Sequence, residues 1–281
     1  MVIYELLTKI STALKAYGIE NSNFEACCIL GITLNMQHQE IILNRNKEVL
    51  EKDGKSALKL LKRRLSGEPL QYILGTQEFM SLPFFVTKDV LIPRQDTETL
   101  VEFLISEKED LPLFVLDIGT GTGCIPISLA HFKKKFRLTG IDISKNAISL
   151  AQKNADSLGV ADRVNFEILD ILSKTPKGKY DIVVSNPPYI KTEDIATLQT
   201  EVRLYEPHLA LDGGSDGLIF YRRICDLAPK ILNSSGLLAF EIGFDQAGAV
   251  SNLMKKDFRD IRVIKDLCGN DRVVAGYLTK K

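Results

Sequence analysis

The stretch that decides the fold is VLDIGTGTG, residues 115–123, which is followed by a helix-like apolar segment at 124–131. An apolar run that leads into three glycines and then a helix predicts a strand, a ligand-binding loop and a helix. Glycines permit a tight turn and let a ligand approach the backbone closely. The spacing of Gly119, Gly121 and Gly123 differs from that of dinucleotide sites, and the loop carries no lysine, which argues against a P-loop.

Two acidic residues accompany this loop. Asp117 stands two positions before the first glycine, and Asp142 ends a second strand-like run, 137–142, 19 residues after the last glycine. A carboxylate at that distance can accept hydrogen bonds from ribose hydroxyls. The order of strand, glycine loop, helix, strand and acid therefore predicts a nucleotide-type cofactor site. The alternative is a glycine-rich turn beside an unrelated surface carboxylate.

The motif NPPY, residues 186–189, follows the β-branched run 181–185, which predicts a buried strand that ends in a rigid loop. Proline fixes φ, lacks an N–H, and keeps the preceding residue extended. The side-chain oxygen of Asn186 and the carbonyl of Pro187 can then act as two fixed acceptors for a planar amino group, with Tyr189 close by. Such a pair rejects a carboxylate or an ether. Taken alone, four residues of this kind are more often a plain turn.

Together, the glycine loop, Asp142 and the NPPY motif resemble class I S-adenosylmethionine-dependent methyltransferases that modify planar amino groups. Four further motifs resemble the release factor glutamine methyltransferases of bacteria. They are GEPLQYILG at 67–75, LIPRQDTE at 91–98, YEPHLAL at 205–211 and GNDRVV at 269–274. The match runs from about Gly67 to the C-terminus, with a looser helical match before it. Gln95 departs from the family, which usually has proline there.

This resemblance implies an activity and a set of site residues. The expected reaction transfers a methyl group from S-adenosyl-L-methionine to a glutamine side-chain amide in the GGQ motif of class I peptide chain release factors, which modulates translation termination. The expected cofactor-binding residues are Asp117, Gly119, Thr120, Gly121, Thr122, Gly123, Asp142, Asp170, Ile171 and Asn186. The expected catalytic and substrate-binding residues are Asn186, Pro187, Pro188 and Tyr189, with Arg94 as a further substrate contact.

Two positions have competing interpretations. Asp170 and Ile171 are expected to border the adenine, with Asp170 accepting from its amino group and Ile171 packing on the ring; a helix cap is the alternative for Asp170. Thr97 either caps a helix that ends near Ser106, or belongs to a wall over the active site.

The substrate is not decided by the NPPY chemistry alone, because adenine N6 and guanine N2 are also planar amino groups. A methyltransferase for DNA or RNA bases is therefore the alternative function. Basic and acidic residues both number 36, whereas a nucleic-acid enzyme usually presents a basic face. The family match, this neutral charge and the lack of an inserted DNA-recognition domain favour glutamine, with no direct nucleic-acid contact. A nicotinamide-dependent oxidoreductase is disfavoured by the glycine spacing.

Three parts of the chain are distinguished by their patterns. Apolar residues at helical spacing predict an all-helical substrate-docking domain at 1–74, a hairpin linker follows at 75–90, and 91–281 forms the methyltransferase domain. Alternating strands and helices there predict an α/β, Rossmann-like, mostly parallel sheet. Its seven strands are expected near 113–118, 137–142, 164–169, 181–185, 235–242, 260–265 and 272–278. The resemblance implies that the last strand is antiparallel.

Partner and location are also predicted. The basic residues Lys59, Lys62, Arg63 and Arg64 are expected on the solvated face of a helix, with docking of an acidic partner as the alternative. The long loop between Tyr189 and Leu218 is expected to cover the substrate.

Five cysteines without a C-x-x-C pair predict reduced thiols and no metal site. With neither a signal-like N-terminus nor a membrane-length apolar run, we expect a cytoplasmic protein without membrane contact. We also expect a monomer.

Overall fold

The computed structural model describes residues 1–280 and divides the chain into two compact units. The first unit contains Met1–Thr76 together with Gln199–Tyr205, and the second contains the remaining described residues. The sequence pattern gave no sign that residues 199–205, which follow the NPPY motif by ten positions, would belong with the N-terminal helices.

The bounds of the helices and strands follow the chain in this order. The α-helices are α1 Ile3–Ala16, α2 Ser22–Leu34, α3 His38–Leu43, α4 Glu51–Leu65, α5 Leu70–Leu74, α6 Gln95–Glu107, α7 Cys124–Phe132, α8 Lys145–Ser157, α9 Thr200–Tyr205, α10 Ile219–Ile231 and α11 Ala247–Met254. The strands are β1 Thr76–Phe79, β2 Leu82–Phe85, β3 Phe114–Ile118, β4 Arg137–Asp142, β5 Val164–Ile168, β6 Tyr180–Ser185, β7 Leu232–Glu241, β8 Phe258–Lys265 and β9 Asp271–Leu278.

The first unit is a helical bundle held by an apolar core. Leu6, Ile10 and Leu14 form one fully buried stripe along α1, and they belong to the same core as Ile29 and Leu30 of α2. This three-to-four-residue spacing is what places apolar side chains on one face of a helix. Helical spacing in the sequence predicted helices at 4–17, after 21–23 and at 55–65, which correspond to α1, α2 and α4, but it did not predict the short helices α3 and α5.

Arg64 of α4 contradicts the prediction of a solvated basic face. Its side chain is only 6% exposed, and its guanidinium donates to Glu25 and to Glu201, with N–O distances of 2.7 Å to each. A buried guanidinium is tolerated only where carboxylates pair with it. Arg64 is therefore a cross-link inside the first unit, which joins α4 to α2 and to α9.

The second unit is built on a seven-stranded sheet with the order β5-β4-β3-β6-β7-β9-β8. Neighbours from β5 to β7 pair in parallel, and β9 is antiparallel to both β7 and β8. The predicted α/β fold, the seven strands and the antiparallel last strand are confirmed. Strand ends differ from the predicted ones by at most three residues.

Both faces of this sheet are covered, which explains the continuous apolar strands. Val115 of β3 belongs to one buried cluster with Leu104 of α6, whereas its neighbour Leu116 belongs to a second cluster with Ile224 of α10. The predicted hairpin is present as β1 and β2, whose turn residues Met80 and Ser81 have φ of 51° and 59°. Two positive φ values are typical of the tight turns that match the strand twist.

The loop after the NPPY motif is less irregular than predicted. It contains α9 and two short 3-10 helices, Thr192–Thr197 and His208–Ala210. All five cysteines are free thiols. Within residues 1–280, no helix is both long enough and apolar enough to span a membrane.

Candidate active site

A cavity of about 390 Å³ lies where β3, β4 and β6 end. The carboxyl ends of parallel strands meet at one edge of a sheet, and ligands of such folds bind there. Eight residues predicted from the sequence line this cavity: Gly119, Gly121, Asp142, Asp170, Ile171, Asn186, Pro187 and Pro188. The sheet topology therefore brings together residues that lie up to 69 positions apart in the sequence.

The glycine loop is anchored to the neighbouring strand β4. The backbone N–H groups of Gly119 and Thr120 both donate to the carbonyl of Ile141, at 2.9 and 3.0 Å. Gly123 has φ of 78°, a backbone conformation that strains any other residue, and a Cβ atom there would lie 3.1 Å from Ala151 Cβ. Three residues of the loop are buried and do not line the cavity: Thr120, Thr122 and Gly123.

Asp142 ends β4 with a carboxylate that the loop backbone orients. Its Oδ2 accepts from the N–H of Gly121 at 3.0 Å, and its Oδ1 accepts from the N–H of Ser144 at 2.8 Å. Burial raises the pKa of Asp142, and these backbone donors oppose that rise. Each oxygen retains a second lone pair. Because Asp142 lines the cavity, its carboxylate can accept from both hydroxyls of a ribose.

Asp117 lies under the loop, where it is 1% exposed. Burial raises its pKa to about 7, and the charge of Asp142 adds to that rise. The Thr120 hydroxyl is close enough to favour the charged form, yet neither Asp117 oxygen has a hydrogen bond of good geometry within residues 1–280. A buried carboxylate without a partner is costly. This residue therefore fits a site whose ligand carries positive charge.

Asp170 and Ile171 border the same cavity in a turn after β5. Asp170 Oδ1 accepts from the N–H of Leu172 at 2.9 Å, and no helix begins at this turn. The alternative interpretation of Asp170 as a helix cap is therefore wrong. The carbonyl of Ile171 accepts from Arg223 Nε at 2.9 Å, which fixes the turn to α10.

The NPPY motif begins directly after β6. Asn186 Nδ2 donates to the hydroxyl of Thr97 at 3.1 Å, and the side-chain oxygen Oδ1 accepts nothing from the described residues. Asn186 and Pro187 both line the cavity. The two acceptors predicted from the sequence are thus adjacent to the cavity, and the amide of Asn186 has its NH2 group turned to Thr97.

The backbone after the motif is fixed on both sides. The carbonyl of Tyr189 accepts from Gln246 Nε2 at 3.0 Å. Ile190 donates to the carbonyl of Leu211 at 3.0 Å and accepts from the N–H of Gly213 at 2.8 Å. The far end of the predicted covering loop is therefore hydrogen-bonded to the residue that follows the motif.

Tyr189 and Arg94 do not line the cavity. Tyr189 packs against the apolar cluster around α10 and β7, and burial raises the pKa of its phenol to about 12. Arg94 Nη2 donates to both carboxylate oxygens of Glu206, at 2.5 and 2.7 Å, and the Glu206 side chain is 1% exposed. This pair joins the start of α6 to the covering loop. Substrate contacts by Tyr189 and Arg94 stay predictions.

Sequence reasoning missed the roles of two buried residues. Thr97 is the third residue of α6, whose N-cap is Arg94, so the interpretation of Thr97 as a cap is wrong. Gln95 is the first residue of this helix, the position where proline is favoured. Glu241 ends β7 and is 1% exposed, and its burial raises its pKa to about 7. An acid that ends an apolar strand was the only signal for Glu241.

Comparison with known proteins identifies the family. Residues 5–75 match the PrmC N-terminal domain, and residues 95–268 match the methyltransferase small domain. A release factor glutamine methyltransferase of Geobacter sulfurreducens is 43% identical, over 93% of this chain and 91% of that protein. The chain belongs to the release factor glutamine methyltransferase family. Another family member, from Moorella thermoacetica, is 40% identical over 99% of both chains.

This assignment confirms the resemblance seen in the sequence, and with it a methyltransferase that uses S-adenosylmethionine. A crystal structure of a methyltransferase from Pyrococcus furiosus shares the fold, with a TM-score of 0.52 and 15% identity over 72% of this chain and 91% of that chain. The site fits this cofactor, because the cavity offers a carboxylate for a ribose and an apolar border for a base, and the buried acid Asp117 lies under the glycine loop beside it.

Proposed function

We propose that this protein transfers a methyl group from S-adenosylmethionine to the side-chain amide nitrogen of a glutamine in class I peptide chain release factors. The observation that carries the proposal is the orientation of the Asn186 side chain. Its NH2 group donates a hydrogen bond to Thr97, while its oxygen remains available as an acceptor beside Pro187 at the cavity. The relatives with full-length similarity are named for this activity.

The cofactor would be held by residues around the cavity. Asp142 would accept from the ribose hydroxyls, Asp170 from the adenine amino group, and Ile171 would pack on the adenine ring. The backbone of the glycine loop would lie close to the remainder of the cofactor. The Asp117 carboxylate beneath the loop would then lie near the positive charge of the cofactor. S-adenosylmethionine supplies an electrophilic methyl group on a sulfonium.

The chain's own contribution is to hold and polarise the glutamine amide. An amide nitrogen is a poor nucleophile, because resonance draws its lone pair into the carbonyl. By accepting both N–H bonds, Asn186 and Pro187 would hold the nitrogen towards a pyramidal geometry and stabilise its developing positive charge. Fixed dipoles aimed at developing charge are usually the largest catalytic effect, and positioning adds to it. Pro188 keeps the motif rigid, and Tyr189 would offer a π face.

The helical domain at 1–74 is proposed to dock the protein substrate. None of the residues assigned to cofactor or amide binding belongs to it. Phe24 and Ile32 are exposed on its surface beside an apolar hollow of about 350 Å³, which Met36 and Leu74 also line. Exposed apolar side chains around a concavity are typical of protein-binding surfaces. We further propose a cytoplasmic monomer without direct nucleic-acid contact, in keeping with zero net charge.

Labelled S-adenosylmethionine tests the substrate assignment. The protein is offered a release factor, the same factor with alanine in place of the GGQ glutamine, and duplex DNA. Label is expected only on the unchanged release factor. Label that appears only on DNA would refute glutamine as the substrate and support the base methyltransferase instead.

A further inference from the structure

One side of the cavity is formed by the covering loop. Pro207, Leu209 and Ala210 line the cavity, and none of them was predicted as a site residue. His208–Ala210 form a short 3-10 helix, in which the N–H of Ala210 donates to the carbonyl of Pro207 at 2.9 Å. So short a helix is at best marginally stable by itself. The position of this wall segment, residues 207–210, therefore depends on the contacts that hold its two ends.

The downstream end of the wall segment is held beside the NPPY motif. The N–H of Ile190, the residue directly after the motif, donates to the carbonyl of Leu211 at 3.0 Å. The Asp212 carboxylate accepts from the hydroxyl of Thr192 at 2.7 Å. These hydrogen bonds fix residues 211 and 212, and the upstream end of the wall segment is held by a different kind of contact.

A buried ion pair holds the upstream end. Glu206 directly precedes the wall segment, and its two carboxylate oxygens accept from Arg94 Nη2 at 2.5 and 2.7 Å. The Glu206 side chain is 1% exposed, whereas the Arg94 side chain is 40% exposed. Removal of the cation from such a pair is strongly destabilising, because the carboxylate charge stays buried without compensation. A movement of Glu206 into water would relieve that cost.

We propose that Arg94 and Glu206 are positioning residues for cofactor binding, which hold the wall segment at the cavity that binds S-adenosylmethionine. If Glu206 moved into water, Pro207 would move with it, because proline restricts both its own backbone and that of the residue before it. This inference goes beyond the proposed function, since it concerns the cofactor and holds whichever amino group is methylated. It also gives Arg94 a role other than the predicted substrate contact.

The principal variant is Arg94→Met, which keeps much of the side-chain volume and removes the charge. We expect the Kd for S-adenosylmethionine, measured by calorimetry, to rise about 10-fold, which corresponds to a wall segment that is in place in roughly a tenth of the molecules. Arg94→Lys keeps a cation beside Glu206 and should restore most of the affinity.

A second ion pair of the covering loop supplies the matched control. Asp216 pairs with Arg222 of α10, their side chains are 46% and 48% exposed, and neither residue lines the cavity. Arg222→Met makes the same substitution in a pair that water already solvates, and exposed pairs contribute little. The Kd for S-adenosylmethionine should therefore be unchanged in this variant.

Neutralising Glu206 separates the ion pair from general damage to the fold. Glu206→Gln alone should raise the Kd less than Arg94→Met does, because Arg94 is partly exposed and water can solvate its charge. Added to Arg94→Met, the same change removes the buried charge that lacks its cation, so affinity should recover. Binding by the double variant that is as weak as in Arg94→Met, or weaker, would contradict the inference.

Hydrogen exchange of the ligand-free protein gives a readout that needs no cofactor. The amides of Ala210 and Leu211, which are hydrogen-bonded within residues 207–211, should exchange faster in Arg94→Met and at the wild-type rate in Arg222→Met. An unchanged Kd or unchanged exchange in folded Arg94→Met would overturn the inference. An unchanged Kd with a raised KM for the release factor would also overturn it, and would make Arg94 the substrate contact predicted from the sequence.

Two further outcomes are separable from these. If Arg94→Met does not fold, Arg94→Gln decides by the same two measurements. Absence of release factor methylation by the wild type would refute the proposed function, while the Kd and the exchange rates still test the role of the ion pair.

Discussion

Replacing Asp117 with asparagine should change how the stability of the ligand-free protein depends on pH. The Asp117 carboxyl has a pKa of about 7 in the folded protein, against an ordinary value of 3.8. The folded state therefore holds a proton that the unfolded chain releases at lower pH. Its contribution to stability is fully present below the unfolded pKa and is lost as pH rises through about 7.

The size of this effect follows from the shift. A rise from 3.8 to about 7, at 1.36 kcal/mol per pH unit, gives about 4 kcal/mol lost between acid and pH 8. Asp117→Asn keeps the shape of the side chain and cannot ionise, so this loss should disappear. The pKa of a second buried acid, Glu241, rises from 4.5 to about 7. This rise should add a pH-dependent loss of stability of about 3 kcal/mol by the same reasoning.

Chemical unfolding from pH 4 to pH 8 measures most of both effects. Asp117→Asn and Glu241→Gln should each be less sensitive to pH than the wild type, and the double variant the least sensitive. At pH 8, Asp117→Asn should be the more stable protein without cofactor and bind S-adenosylmethionine more weakly. The same slope of stability against pH in Asp117→Asn and the wild type would show that this carboxyl does not carry the buried charge inferred here.

The remaining predictions concern three other residues. Asn186→Ala should lower single-turnover rates roughly 10²–10³-fold with little change in melting temperature. Asn186→Asp keeps an acceptor oxygen and should retain more activity. Near-normal rates in folded Asn186→Ala would contradict the mechanism. Asp142→Ala should weaken S-adenosylmethionine binding by roughly 1.5–3 kcal/mol, and unchanged affinity by calorimetry would exclude a ribose contact. Arg64→Met should destabilise the helical unit by about 3 kcal/mol in denaturant, because it leaves the partly buried Glu25 without its cation. An unchanged midpoint would argue against that cross-link.

The sequence predicted those features that depend on local pattern. The run 181–185 predicted a strand, because β-branched residues favour extended backbone wherever they occur. The glycine loop predicted a turn, because glycine permits backbone conformations that other residues avoid. The acids Asp142 and Asp170 were found because an acid at the end of a parallel strand, or just after it, lies at the ligand-binding edge. In each case the position along one element was sufficient.

The features that were missed depend on contacts between distant elements. Thr97 and Asn186 are 89 residues apart, and only the packing of α6 beside the end of β6 makes their hydrogen bond. In the sequence, Arg64 cannot be distinguished from its exposed neighbours on a basic helix. Its burial depends on Glu25 and on Glu201, which is 137 residues away. No spacing rule within a single helix contains that information.

The covering loop offers a physical basis for choosing a protein over a base. The Asn186 and Pro187 acceptors select a planar amino group, but glutamine and adenine both present one, so the choice must be made elsewhere. The loop is hydrogen-bonded at Ile190 and Leu211 beside the motif, while its middle segment, Gln199–Tyr205, packs in the helical unit through Arg64. The chain segment that follows the motif therefore contributes residues to the helical unit. If the helical unit docks the protein substrate, as proposed, a release factor has a binding contact that an isolated base lacks.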